Sequence, residues 1–470
     1  MTRRTVLLYN PKAPYYAMPL ALLAIASELA AKGFAPVIVD ARIDPDPLRT
    51  ISASAGEALY LGLTVLIGAP LADAIDLCRR VRQRWPALPI VWGGWHPSIF
   101  PALCVDEGPV DAAIVAQGEE AAVAVGERLA AGADLSGIPG VARRGAPAEP
   151  RAFRPPDTFA PHDYGLLPLA EYFQRKGQRQ LEYVASQGCP FACGFCSDPM
   201  VFKRRWAGLS VERVVGELAR LTTDHGITDV GFQDEIYFVD PRRSIAISEG
   251  FLTRGLRFTW TATARVEEIL RFGPDGLDLF RRSGLRKLII GAESGEPEVL
   301  ARIRKGIEAD QILEAAVALD DAGIAGHFNF IVGFPFDEAP EEVTTTLRTI
   351  DALVTKTRLH EFALFYYAPY PGSPIFDEMA ARRAAELPRT LEAWGRFDYV
   401  RRPGSWMSPA SFKAVEDFKF YRGLAPRARG ILRPLAALAS LRNRSGVYAL
   451  PVERVLGNFV RRRVLGHADL

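Results

Sequence analysis

Hydrophobic residues between Thr5 and Arg144 fall in short β-branched runs, separated by longer stretches whose apolar positions repeat at helical spacing. The runs are TVLLYN, PVIVDA, ALYLGLTV, PIVWGG and DAAIVAQG, and between them lie LALLAIASELAAKG, DAIDLCRRVRQRWP and EEAAVAVGERLAAG. Two of these stretches end in Gly and one in Pro, as helix stops do. The alternation predicts a doubly wound, Rossmann-like α/β domain over residues 1–144, which would bind its ligand at the carboxyl ends of its strands. At or just beyond those ends stand Asn10, Thr64, Gly93, Gly94, His96, Gly118 and Glu119. The paired glycines let backbone approach a large ligand closely.

Residues 145–178 hold six prolines without a period and read as an ordered linker. A second series follows, with strand-like LEYVAS, DVGFQDE, RFTWTATA, KLIIGAES, HFNFIVGF and EFALFYYAP, and helical stretches such as SVERVVGELARLTTDHG and DQILEAAVALDDAG between them. Six such units predict a partial (β/α)6 barrel over residues 179–380. From 381 to 470 the pattern predicts a mostly helical, irregular region ending in a basic tail.

Composition narrows the class. With 470 residues, 49% of them hydrophobic and 24% charged, the chain is long enough for several cores and has the balance of a globular protein. VLLY at the start is too short for a signal peptide or a membrane span. Five scattered cysteines, an odd number, predict a reducing compartment, the cytoplasm. The net charge of +2 hides an uneven distribution, because residues 421–470 carry ten arginines against Glu453 and Asp469. Around PLAALASL these make a basic amphipathic helix, read either as a peripheral contact on the inner face of the membrane or as a solvated face packed on the acidic remainder. The arginines are not interleaved with stacking aromatics, which points away from nucleic acid.

The sharpest chemical signal is SQGCPFACGFCSDP, which spaces Cys189, Cys193 and Cys196 as CxxxCxxC just after a predicted strand. A structural zinc takes four closed ligands, whereas the remaining cysteines, Cys78 and Cys104, fall in the other domain and no histidine is near in sequence. Three thiolates on a four-iron cluster leave one iron open to chelate a small molecule and pass it an electron.

On this motif, with Phe195 before its last cysteine, the chain resembles the radical S-adenosylmethionine (SAM) superfamily. The resemblance continues through GFQDE, TATAR, GAESG, RKG, NFIVGFP and YAPYPGSP. It implies that Cys189, Cys193 and Cys196 hold a 4Fe-4S cluster whose open iron binds SAM. It also implies that Phe195 and Gln233 lie in the SAM site, that Asp234 and Glu235 meet the SAM amino group, and that Glu293 and Ser294 meet its ribose or methionine part. Arg265 or Lys305 would neutralise the SAM carboxylate. An external one-electron reductant is implied as well.

The first 144 residues resemble the cobalamin-binding domain that precedes many radical SAM domains, on GLTV, IVWGGWHPSIFP and DAAIVAQGEEA. The DxHxxG motif of one cobalamin class is missing, since DARIDPDP follows the second strand without a histidine. His96 is read as a structural or cobalamin-tail contact rather than a cobalt ligand. Tyr366, Tyr367, Tyr370, Trp394, Trp406 and Phe420 either wall a pocket or pack a core. The function expected is radical functionalisation of an unactivated carbon, foremost C-methylation of a hydrophobic small molecule. The alternatives are non-methylating oxidation or ring closure, and a radical SAM enzyme whose N-terminal domain binds no cobalamin and serves interaction or substrate binding.

Overall fold

The computed structural model describes residues 4–13, 16–336, 341–397 and 404–424, together with Leu438, Leu441 and Arg442. Nearly all of the basic tail lies outside the described residues.

Two six-stranded sheets organise the chain. The first holds β1 (Thr5–Asn10), β2 (Ala35–Asp40), β3 (Ala58–Thr64), β4 (Ile90–Gly93), β5 (Ala112–Ile114) and β6 (Val141–Ala142), in the order β2-β1-β3-β4-β5-β6. Every pair is parallel except β5 with β6. Helices cover both faces, which explains why Val6 to Tyr9 and Leu59 to Leu61 read as continuous apolar runs: each residue is buried on one side or the other.

After β7 (Gln180–Tyr183) comes a short antiparallel pair, β8 (Ser186–Gly188) and β9 (Trp206–Gly208). The second sheet then continues with β10 (Asp229–Phe232), β11 (Thr259–Arg265), β12 (Leu285–Glu293), β13 (Ala325–Val332) and β14 (Glu361–Tyr366). Its order is β14-β13-β12-β11-β10-β7, parallel throughout. This is the open (β/α)6 barrel, and each of the eleven runs named from the sequence contains one strand. β6, β8 and β9 had no forecast: two or three residues carry no readable period, and unlike the equally short β5 these strands sit in no longer apolar run.

One face of the barrel sheet packs under helices. Trp260, Leu288, Ile290, Phe328 and Phe330 are buried there, while His327, Asn329 and Ile331 alternate with them on the open face at intermediate burial. The stretch predicted as a linker contains the helix Leu169–Lys176, capped by Gly177 in the left-handed conformation. Among the described residues no helix is long and apolar enough to cross a membrane.

A buried carboxylate ties the barrel together at the start of β10. Asp229 accepts hydrogen bonds from Arg286 Nε and Nη2, each at 2.7 Å, and also from the side chains of Thr259 and Gln180. Burial opposes its ionisation, but these donors outweigh burial and hold the carboxyl below the usual carboxylate range. Its stabilising contribution is therefore present above the unfolded-state pKa of about 4 and fades as pH falls further. Asp229→Asn should lower stability by about 1–3 kcal/mol near neutral pH. Urea unfolding at a series of pH values should show the gap from wild type closing in acid; a gap independent of pH would contradict this account.

Candidate functional site

The cysteine loop leaves β8 through Gly188, whose φ is +80° and where a Cβ would come within 2.2 Å of the Arg205 carbonyl oxygen. Only glycine starts the loop without pushing β9 away. The loop itself has no regular structure and is pinned at Gly194. The Gly194 N–H donates to the Ile303 carbonyl at 2.7 Å, and the Gly194 carbonyl accepts from the Ile375 N–H at 3.0 Å. Two motifs distant in sequence, around Lys305 and around Pro374, thus set the position of the cysteines.

Cys193 is buried and Cys189 and Cys196 are partly exposed. Burial pushes the Cys189 thiol up to about 11 and that of Cys196 up to about 12, so thiolates here need a compensating positive centre. Among the described residues no three His, Cys, Asp or Glu groups converge to hold a single ion. Cys78 and Cys104 are fully buried in the first domain. The donor set is three thiols in a loop open on one side, which fits a cluster with one free corner better than a closed zinc site. Asp198, two residues after Cys196, is buried, and burial pushes its carboxyl up to about 7.

The residues expected around SAM divide into two groups. Gln233 and Glu235 are exposed to the interdomain cavity. Glu235 accepts the Gly188 N–H at 3.2 Å, and its enclosure, with the Asp198 carboxylate nearby, pushes its carboxyl up to about 8. Phe195 lies within the cysteine loop, just before Cys196, and meets Phe334 edge to face at 6.4 Å. Asp234, by contrast, is buried and spent on the fold: it accepts the Ser186 hydroxyl and, at 3.1 Å, the Ala185 N–H. Ser294 is fully buried too, bonded to Thr346 at 3.1 Å and to the Glu296 N–H at 3.0 Å. Glu293 and Lys305 form a buried ion pair at 2.8 Å. Glu293 sits at φ +64°, an uncommon conformation for a side-chain-bearing residue, and Gly291 leaves the room the pair occupies, since a Cβ there would lie 2.3 Å from Glu293 Oε1. Arg265 is buried beside the cysteines, with Nη1 3.4 Å from Cys193 Sγ.

A cavity of about 1190 Å³, counting the part open to solvent, lies between the carboxyl ends of the first sheet and the cysteine side of the barrel. Thr64, Gly93, Gly94, Gly118 and Glu119 line it as expected at those strand ends. At Gly94, φ is +94° and a Cβ would meet Thr64 Oγ1 at 2.9 Å; at Gly118 a Cβ would meet Ile25 Cδ1 at 2.9 Å. The missing side chains are what keep the floor open, and that floor fits cobalamin.

Two expected contacts lie elsewhere. Asn10 ends β1 outside the cavity, buried with its Nδ2 donating to Asp40 at 2.8 Å. His96 turns into the core, where it packs edge-on against Phe100 and Trp394 at 5.6 and 6.3 Å, and burial lowers its pKa to about 4. Trp394 is accordingly core.

The sequence reading passed over the polar seam between the domains. Gln187 in β8 donates to Glu119 at 3.2 Å and accepts from Gln117 at 2.8 Å, while Gln117 also brackets the Arg154 backbone. Both glutamines border motifs already singled out, SQGC and VAQGEE, and that adjacency was the only signal. Phe202, beyond the cysteines, meets Trp95 of the Gly-Gly turn edge to face at 6.1 Å. His162 also lines the cavity, and nothing in the sequence marks it.

Comparison with known proteins agrees with this geometry. Residues 183–350 match the Radical SAM superfamily and residues 7–126 match the B12 binding domain. The uncharacterized methyltransferase PH0819 of Pyrococcus horikoshii is 31% identical over 325 residues, 67% of this chain and 68% of that protein. Hopanoid C-3 methylase of Methylococcus capsulatus is 26% identical over 330 residues, 69% of this chain and 63% of that protein. The anaerobic magnesium-protoporphyrin IX monomethyl ester cyclase of Rubrivivax gelatinosus is 29% identical over 309 residues, and the chain spans about half (54%) of its length. In fold, the chain is similar to TsrM of Kitasatospora setae with cobalamin and [4Fe-4S] cluster bound, at a TM-score of 0.69 and 19% identity, covering 94% of this chain and 88% of that one. It is also similar to OxsB with aqua-cobalamin and SAM bound, at a TM-score of 0.74 and 18% identity, covering 98% and 75%. A glycine-floored cavity facing a three-cysteine loop, joined to both domain matches and to the relative in Pyrococcus, settles the assignment: the chain belongs to the radical SAM superfamily, among the members that carry an N-terminal B12-binding domain and use a 4Fe-4S cluster, SAM and cobalamin.

Proposed function

We propose that this enzyme methylates an unactivated carbon of a hydrophobic small molecule, with SAM as both radical source and methyl donor. The observation that carries this reading is a cavity bordered by both domains, which brings the strand ends of the B12-binding domain and the residues flanking the cysteine loop around one space. When bound, the reduced cluster with SAM supplies a 5′-deoxyadenosyl radical and cobalamin supplies the methyl group.

The chain's own residues bind, orient and exclude water. Cys189, Cys193 and Cys196 hold the cluster, and the one electron it needs comes from an external low-potential reductant. Glu235, open to the cavity, offers a carboxylate to the SAM amino group, a charge-assisted pairing that would favour its ionised form. The Glu293–Lys305 pair presents one group for each charge of the methionine part, so SAM exchanges partners with a pair already buried. Thr64, Gly93, Gly94, Gly118 and Glu119 form the corrinoid floor, and Trp95 with Phe202 closes its edge. A hydrophobic substrate is supported by the open face of the barrel sheet, where Ile289 and Phe365 stay 37% and 38% exposed beside the half-buried Ile331.

Protein reconstituted anaerobically with iron, sulfide and hydroxocobalamin, given SAM deuterated at its methyl group and a hydrophobic metabolite extract, should yield a product carrying the intact labelled methyl. Methyl transfer consumes one SAM as donor and one as radical source, so S-adenosylhomocysteine and 5′-deoxyadenosine should form together. 5′-Deoxyadenosine with an unlabelled product would favour oxidation or ring closure instead.

Gly118→Leu should fill the cavity floor without disturbing the cysteine loop. Bound corrinoid should fall about tenfold while iron content stays at the wild-type level; unchanged corrinoid would place the cofactor elsewhere.

A further inference from the structure

Arg265 ends β11 with its charge buried to 6% exposure, and every arm of its guanidinium is already engaged. Nη1 lies 3.4 Å from Cys193 Sγ, Nη2 donates to the Lys305 carbonyl, and Nε donates to Glu267. The guanidinium carbon also sits 3.9 Å from the centre of the Phe191 ring, two residues before Cys193. Nη1, Nη2 and Nε each already serve a protein partner, so a SAM carboxylate would compete with these partners for the fork. Lys305, whose Nζ reaches only Glu293, is the better placed of the two basic residues for that carboxylate.

A cation held against a cluster thiolate has a definite electrostatic consequence. Reduction adds one electron to the cluster, supplied by the external reductant, and breaks no bond. Positive charge and an N–H donor at a ligating sulfur stabilise the more negative state and raise the reduction potential. Withdrawal from water preserves the effect, the Glu267 carboxylate on Nε offsets part of the charge, and the N–H donor to Cys193 acts at the sulfur itself.

We propose that Arg265 is a positioning residue that tunes the cluster: it donates to Cys193, clamps Phe191, and raises the potential at which the cluster accepts its electron. Through the Lys305 carbonyl it also couples the cysteine loop to the segment bearing the Glu293–Lys305 pair. The assignment rests on Cys193 being a cluster ligand, as in the function proposed above.

The test is an electron paramagnetic resonance redox titration of reconstituted wild type, Arg265→Gln and Arg265→Lys, in the absence of SAM and substrate, with iron content measured in parallel. Arg265→Gln should titrate at a more negative midpoint potential and Arg265→Lys between it and wild type, because an ammonium keeps the charge but not the fork. A glutamine variant with full iron at the wild-type potential overturns the proposal. Loss of the cluster in both variants also overturns it, since the guanidinium would then merely prop the loop. If only the lysine variant keeps iron, a midpoint below wild type upholds the proposal and an equal one overturns it. A wild-type chain that assembles no cluster would refute the underlying function instead, and would do so before any variant is compared.

Discussion

The cysteine loop cannot hold its own shape, and everything the enzyme does depends on how it is held. Between Gly188 and the helix Asp198–Phe202 there is no ladder: the backbone is fixed by the turn bond from the Cys196 N–H to the Cys193 carbonyl and by two bonds at Gly194, with Arg204 on the Pro190 carbonyl and Arg265 on Cys193 added from side chains. The two bonds at Gly194 come from Ile303 and Ile375, roughly one hundred and two hundred residues further along the chain. The barrel units between them therefore serve as a frame that delivers two backbone groups and one arginine to a loop of about eight residues. A frame of parallel strands suits this task, because helices bury one face of the sheet and leave the carboxyl ends free to carry chemistry.

The second constraint is that two such frames face each other. Gln187, two residues before Cys189, is hydrogen-bonded to Gln117 and Glu119 at the strand ends of the other domain. Burial holds the Glu119 carboxyl above its ordinary value, and hydrogen bonds from its own backbone and from the Gln187 amide offset only part of that, so the seam is polar and hydrogen-bonded. A wet or loose seam would let the distance between the two cofactor sites drift, and radical chemistry tolerates neither water nor a drifting partner. Phe202 against Trp95 adds an apolar contact across the same seam.

How far the sequence revealed this follows from the physics of each feature. Apolar runs marked eleven of the twelve strands in the two sheets, the three-residue β5 included because it sits inside a longer run, whereas β6 and the hairpin strands β8 and β9 lie in no such run. The rule that ligands gather at strand ends picked out Thr64, Gly93, Gly94, Gly118 and Glu119, which line the cavity, but it cannot say toward which side a strand end opens. Asn10 and His96 obey the rule by position, yet one turns to Asp40 and the other to Phe100 and Trp394. Asp234 and Ser294 stand in motif positions while their side chains serve Ser186 and Thr346, because burial makes every polar atom find a partner and sequence does not say which. Arg265 and Cys193 are 72 residues apart, and their contact exists only once β11 and the loop are packed.

The central claim is that one chain holds a cluster and a corrinoid around one cavity. The most direct measurement is the corrinoid-to-iron ratio, with the absorption spectrum, of anaerobically purified protein after reconstitution with iron, sulfide and hydroxocobalamin and removal of the excess. The account predicts about one corrinoid for every four irons in each chain. Iron retained without corrinoid would contradict it and leave the glycine-floored cavity to another ligand.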